Sequence, residues 1–188
     1  IHDKADSTGI CFIGERPFRD FLGRYLASEP GPIETDDGRP VGEHVGLSFY
    51  TLGQRQGLAI GGVRNAADAP WYVIGKDPSR NALIVAQRHD HPALMATRVD
   101  VEGLFWIRGE PFLPARCSAA VRYRQADMLC EIRRIAAGRY ALEFERPQRA
   151  VTPGQYAVVY AGRECLGGGA IAGVRPLASQ GAELTANV

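Results

Sequence analysis

After Pro92 the chain reads as strands and turns alone. Short runs of alternating apolar residues fall at about 97–106, 116–124, 128–135, 139–145, 156–160 and 164–171, with turn pairs at Ala137-Gly138 and Ala161-Gly162. Strands this short cannot each cover an apolar face alone, and pairing edge to edge until the sheet closes removes every unpaired edge. The predicted fold is mainly β, with a six-stranded antiparallel β-barrel over residues 95–177.

The upstream pattern differs. Phe18, Phe21, Leu22, Tyr25 and Leu26 recur at helical spacing while Arg19, Asp20 and Arg24 take the other face, which predicts a helix over 17–27 with Pro17 in its first turn. Pro30-Gly31-Pro32 stops it. From 30 to 94 a small central β-rich domain is expected. Asp36-Asp37-Gly38 suggests a hairpin turn, Leu47 to Leu52 a short helical or irregular piece, and Trp71–Ile74 and Ala82–Ala86 two β runs joined by the turn Asp77-Pro78-Ser79-Arg80-Asn81. The polar tail 178–188 is expected to be loose.

With 45% hydrophobic residues the chain can build a core, and no apolar run approaches the ~20 residues that span a bilayer. A soluble, cytoplasmic protein is expected. The opening Ile-His-Asp-Lys-Ala-Asp lacks a signal-peptide core, and a start on Ile reads as a piece of a longer protein. The net charge of +1 divides unevenly, with ten Lys/Arg against twelve Asp/Glu in 1–95 and twelve Arg against eight acids in 96–177. Arg outnumbers Lys twenty to two. Arg suits bidentate phosphate contacts and base stacking, but a GC-rich coding preference produces the same excess. Composition alone therefore does not establish nucleic-acid binding.

Cys117, Cys130 and Cys165 fall in alternating apolar runs, where a packed thiol is ordinary, and no Cys-x-x-Cys pair or zinc spacing of histidines occurs. No metal is expected. Cys11 is different: it lies in Asp6-Ser7-Thr8-Gly9-Ile10-Cys11-Phe12-Ile13-Gly14-Glu15-Arg16, framed by glycines and followed by a cation and a helix start. Such surroundings raise the thiolate fraction of a thiol whose free pKa is ~8.5. On the residues alone it is either a nucleophile or a buried structural cysteine.

That segment, then Thr51-Leu52-Gly53-Gln54-Arg55 with Gly57-Leu58, Pro70-Trp71-Tyr72-Val73, Arg122-Tyr123-Arg124-Gln125, Thr152-Pro153-Gly154-Gln155 and Cys165-Leu166-Gly167-Gly168-Gly169, together resemble the bacterial tRNA-specific 2-thiouridylases, over roughly residues 3–175. The resemblance implies that 1–29 ends an α/β nucleotide-binding domain of the ATP-pyrophosphatase type, leaving a short helical remnant, and that 30–94 and 95–177 are the central domain and the barrel. It implies an ATP-dependent sulfurtransferase that adenylates the C2 oxygen of the wobble uridine and delivers sulfur from a cysteine persulfide.

Cys11 matches the persulfide carrier, which would resolve through a disulfide with a first catalytic cysteine. Neither that cysteine nor a Ser-Gly-Gly-x-Asp-Ser phosphate loop occurs in these 188 residues, so ATP (with Mg2+) is expected to bind outside this chain, which alone is expected to be inactive. The resemblance further implies tRNA and a sulfur-relay donor protein as partners, with no membrane and a monomer. It also implies tRNA contact at Arg122, Tyr123 and Gln155.

Strand alternation would send Tyr123 to the face opposite Arg122 and Arg124 unless the strand ends or twists there. Gln155, after Pro153-Gly154, sits on a turn from which an amide can reach a base edge or ribose. A non-catalytic RNA-binding barrel is the alternative reading, and a cysteine hydrolase is the weakest, since no histidine pairs convincingly with Cys11. His89 and His91 read as a solvated loop, and His44 receives no role. Gly167-Gly168-Gly169 reads as a strand packed close to another backbone rather than as a phosphate cradle.

Overall fold

The computed structural model describes residues 29–61, 67, 69–177 and 184–185. The helix expected over 17–27 and Cys11 lie outside them. Among the described residues there are two sheets. The first orders its strands β2-β1-β4-β3, where β1 is Gly31–Thr35, β2 Pro40–His44, β3 Tyr72–Asp77 and β4 Ala82–Ala86. Both expected turns are found. Gly38 sits at φ 82 and donates its N–H to Thr35, closing β1 onto β2. Asp77 caps the other turn, accepting at Oδ1 from the N–H groups of Ser79 and Arg80, and Asn81 completes it at φ 49.

The β1–β4 pairing is parallel, which local patterning did not indicate because the partners lie about fifty residues apart. Ile33, Val73, Leu83 and Val85 pack beneath it with Tyr50 and Leu58. His44 is buried there. Its Nδ1 accepts the Gly46 N–H at 3.0 Å, so the proton sits on Nε2 and is donated to Asn81 O at 2.9 Å. A residue without a role in the sequence thus ties β2 to the β3–β4 turn.

The second sheet closes. Strands β5 (Met95–Trp106), β6 (Ala115–Ala120), β7 (Met128–Ala136), β8 (Arg139–Arg149), β9 (Tyr156–Ala161) and β10 (Glu164–Pro176) pair in the order β10-β5-β8-β7-β6-β9, and β9 pairs back onto β10. This is the expected six-stranded antiparallel barrel. Val99, Val101, Ala119, Ile132, Leu142, Val159 and Ile171 fill it. The glycine run supports the close-packing expectation: a Cβ on Gly167 would lie 2.1 Å from Phe105 O, and one on Gly169 would lie 2.7 Å from Glu102 O.

Several boundaries differ from the sequence reading. The strand expected over 116–124 ends at Ala120, because Val121 is buried and the chain then turns, with Gln125 N–H donating to Arg122 O and Arg124 at φ 58. β8 and β10 run on to Arg149 and Pro176, since both follow β5 to its start, pairing Met95 with Arg149 and Ala96 with Pro176. Part of the tail expected to be loose is paired, as Leu184–Thr185 (β11) joins Gly173 and Val174. Cys117 and Cys130 are buried cross-strand partners, whereas Cys165 is only half-buried.

Candidate nucleic-acid interface

The end of β6 at Ala120 decides how the Arg122-Tyr123-Arg124-Gln125 segment is displayed. A continued strand would have put Tyr123 on the opposite face from the arginines. In the turn they share one side: Tyr123 is 72% exposed, and the Arg124 guanidinium lies 5.3 Å from its ring centroid. Arg122 anchors the loop. Its Nη2 donates to Ala150 O at 2.8 Å and to Arg149 O at 3.4 Å, which leaves Nε and Nη1 for a ligand. Gln125 bonds the buried Gln148 through Nε2 to Oε1 at 2.8 Å.

Gln155 arrives from the other side. In Thr152-Pro153-Gly154-Gln155 the Gly154 N–H donates to Ile171 O at 2.9 Å and Gln155 O accepts the Ile171 N–H at 2.7 Å, so β10 fixes the turn while the Gln155 side chain is exposed. All three residues matched to tRNA contact line one cleft of about 610 Å³. Its floor is Ala120 beside Val158, paired between β6 and β9. Tyr156 and Tyr160 line it too, and they escaped the sequence reading. The available signal was their place at i and i+4 on one outward strand face.

The loop's anchor also holds the first sheet. Ala150 N–H donates to Leu94 O at 2.6 Å, Arg149 Nε donates to His89 O at 2.8 Å, and the Arg149 guanidinium lies 5.3 Å from the Tyr72 ring centroid. Burial lowers the Arg149 pKa, with Arg122 nearby pushing the same way. The Thr51-Leu52-Gly53-Gln54-Arg55 motif docks at the same place: Gly53 N–H donates to Val73 O, Gln54 O accepts the Val73 N–H, and a Cβ on Gly53 would lie 2.7 Å from Ala150 Cβ.

The other sequence candidates fall outside this cleft. Cys11 lies outside the described residues. His91, expected in a solvated loop, is largely covered: its Nδ1 accepts the Ala93 N–H and its Nε2 lies 3.3 Å from Asp36. His89 packs edge-on against Tyr72. The Gly167-Gly168-Gly169 run does not form a phosphate cradle, because it is pressed against neighbouring backbone inside the barrel wall. Among them no three His, Cys, Asp or Glu side chains gather as metal ligands.

Two family models match the chain: residues 19–87 match the tRNA methyl transferase PRC-barrel domain, and 96–171 match the aminomethyltransferase β-barrel domain. The chain is thus a tandem of two recognised modules, the second being the closed barrel. It is 58% identical over 176 residues to the tRNA-specific 2-thiouridylase MnmA of Methylibium petroleiphilum, covering 90% of this chain and 44% of that protein. The proteins of that name in Ralstonia pickettii and Sodalis glossinidius are 55% and 54% identical, with 92% and 93% of this chain and 47% of each relative covered. The chain belongs to the tRNA-specific 2-thiouridylase family and matches the C-terminal part of its members. It spans about half the length of the curated relatives it matches.

Proposed function

We propose that this chain is the central and C-terminal part of an ATP-dependent sulfurtransferase that 2-thiolates the wobble uridine of tRNA, and that its barrel holds the tRNA. The relatives' name, tRNA-specific 2-thiouridylase, supports thiolation of tRNA, and the ATP dependence and the wobble position are what the motif resemblance implies. One observation carries the barrel's share: Arg122, Tyr123 and Gln155, scattered over thirty-four positions of sequence, converge on one cleft. A guanidinium with free N–H groups, an exposed ring and an exposed amide are the groups that bind phosphate, base face and base edge or ribose. The proposed domain limits are 1–29, 30–94 and 95–177, followed by the tail 178–188.

Within the same reading Cys11 carries the transferable sulfur as a persulfide, received from a donor protein. ATP with Mg2+ belongs to a part of the enzyme outside these residues, and the working enzyme is a cytoplasmic monomer. Cys11→Ser in the full-length enzyme should abolish thiolation and leave tRNA affinity nearly intact.

The tRNA surface is tested by salt titration of tRNA binding to the full-length enzyme. Each neutralised phosphate contributes ~0.7 to 0.9 logarithmic units of slope, so Arg122→Ala should lower the slope by about one contact. Tyr123→Ala should lower affinity with little change in slope, since stacking releases few counterions. Gln155→Ala should also weaken binding. Wild-type affinity and slope in all three would refute this surface and leave the barrel a structural role.

A further inference from the structure

We propose that unpaired nucleotides of the tRNA lie along β9, their bases stacked on Tyr156 and Tyr160 and an adjoining phosphate held by Arg124. This rests on the barrel's proposed hold on tRNA and assigns residues and a binding mode within it.

The first support is the shape of the outer face. Ala157 and Val159 point into the barrel, so Tyr156, Val158 and Tyr160 point outward in one row. Their cross-strand neighbours are unusually small. Ala120 and Ser118 on β6 stand opposite Val158 and Tyr160, and Gly168, Ala170 and Cys165 on β10 stand opposite Val158, Tyr156 and Tyr160. The result is a low platform with two rings on it. Residues four apart on a strand are separated by about 13 Å, too far to sandwich one base but suited to separate bases of an extended strand.

The second support is charge. The cleft is lined by Arg122 and Arg124 and by no carboxylate. Arg122 is partly committed to the backbone at 149–150. Arg124 makes no hydrogen bond or ion pair among the described residues, and its contact there is the Tyr123 ring. An acid-free cleft with rings on its floor and a cation at its rim complements an anionic chain bearing flat π-faces, which is single-stranded nucleic acid. A duplex hides its base faces and would leave the Tyr156 ring, 68% exposed, without a stacking partner.

The test uses the full-length protein and a tRNA transcript with an unmodified wobble uridine. Tyr156→Ala should weaken binding about five- to 150-fold at fixed salt with unchanged slope, while Tyr156→Phe should bind as wild type. Arg124→Gln should lower the slope by ~0.7, one single-strand contact. Ultraviolet crosslinking of the unmutated protein to the tRNA, followed by peptide mapping, should place nucleotide adducts on Tyr156 or Tyr160 and needs no variant to fold. Wild-type affinity in Tyr156→Ala together with no adduct on either tyrosine overturns the inference. If the Arg122, Tyr123 and Gln155 variants still weaken binding in that case, the barrel's hold on tRNA stands and only the β9 platform fails; if they too bind as wild type, both fail.

Discussion

Closure of the barrel depends on Gly167, and Gly167→Ala measures that dependence. The added Cβ would sit 2.1 Å from Phe105 O and 3.1 Å from Phe105 C, where ordinary contact begins at 3.4 Å. Relief needs a movement of about 1 Å, and the obstructing atoms are backbone, so no side chain can rotate away. Overpacking of this kind costs ~1–3 kcal/mol, and separating β10 from β5 also strains the Ile107 N–H to Leu166 O bond beside it, worth ~1 kcal/mol. Reduced freedom of the unfolded chain returns ~0.4–1 kcal/mol, leaving a loss of about 1–3.5 kcal/mol, centred near ~2 kcal/mol.

Gly162→Ala is the matched control. Gly162 sits at φ 58 with no atom within 4 Å of an added Cβ, so it bears the left-handed cost alone, ~1–2 kcal/mol less the same return, or about 1 kcal/mol. Urea unfolding followed by circular dichroism and by tryptophan fluorescence, to which Trp106 opposite Gly167 contributes, separates the two. With ~1–3 kcal/mol lost per molar urea, the Gly167 variant's midpoint should fall by ~1 M or more, well beyond the control's. Equal midpoints would refute the claim that the glycine run exists for close strand approach.

Two further outcomes are expected. Under native conditions an alkylating reagent should modify Cys165 before Cys117 and Cys130, which are buried with their Sγ atoms 3.5 Å apart; the hydrogen bond with the Cys117 thiol, and then burial, push the Cys130 pKa up, and early loss of either buried thiol in a mass-resolved time course would contradict this. The Ser79 and Arg80 bonds hold the Asp77 pKa at about 2, below its ordinary 3.8, so its stabilisation is present above the ordinary value and disappears as pH falls through about 2. Asp77→Asn should therefore lower the thermal midpoint near neutral pH and much less at about pH 2, and an equal shift at both would show that the carboxylate charge is irrelevant.

Local chemistry determined what could be read in advance. Alternation marked all six barrel strands, and Gly38 and Asn81 marked turns because each stands at a positive φ. Strand ends were less legible, since partners rather than propensity set them: β8 persists to Arg149 because β5 begins opposite it, and β6 stops at Ala120 because Val121 turns into the core. The parallel β1–β4 pair left no local trace. Motif matching pointed to Arg122, Tyr123 and Gln155, which line one cleft, whereas the small neighbours of Tyr156 and Tyr160 became visible only with the strand register.

The loop proposed to meet RNA and the sheet beside it hang from the same two residues. Arg122 holds the carbonyls of Arg149 and Ala150, while Leu94 holds the Ala150 N–H, His89 holds Arg149 Nε and Gly53 packs on the Ala150 methyl. A shift of the first sheet relative to the barrel must therefore move Arg149 or Ala150, or else break bonds that also set the height of Tyr123. Two motifs about seventy residues apart, at 51–55 and 122–125, thus serve one joint. That joint accounts for Gly53 physically: its φ of 78 and the 2.7 Å between its hypothetical Cβ and Ala150 leave no room for a side chain where the two modules meet.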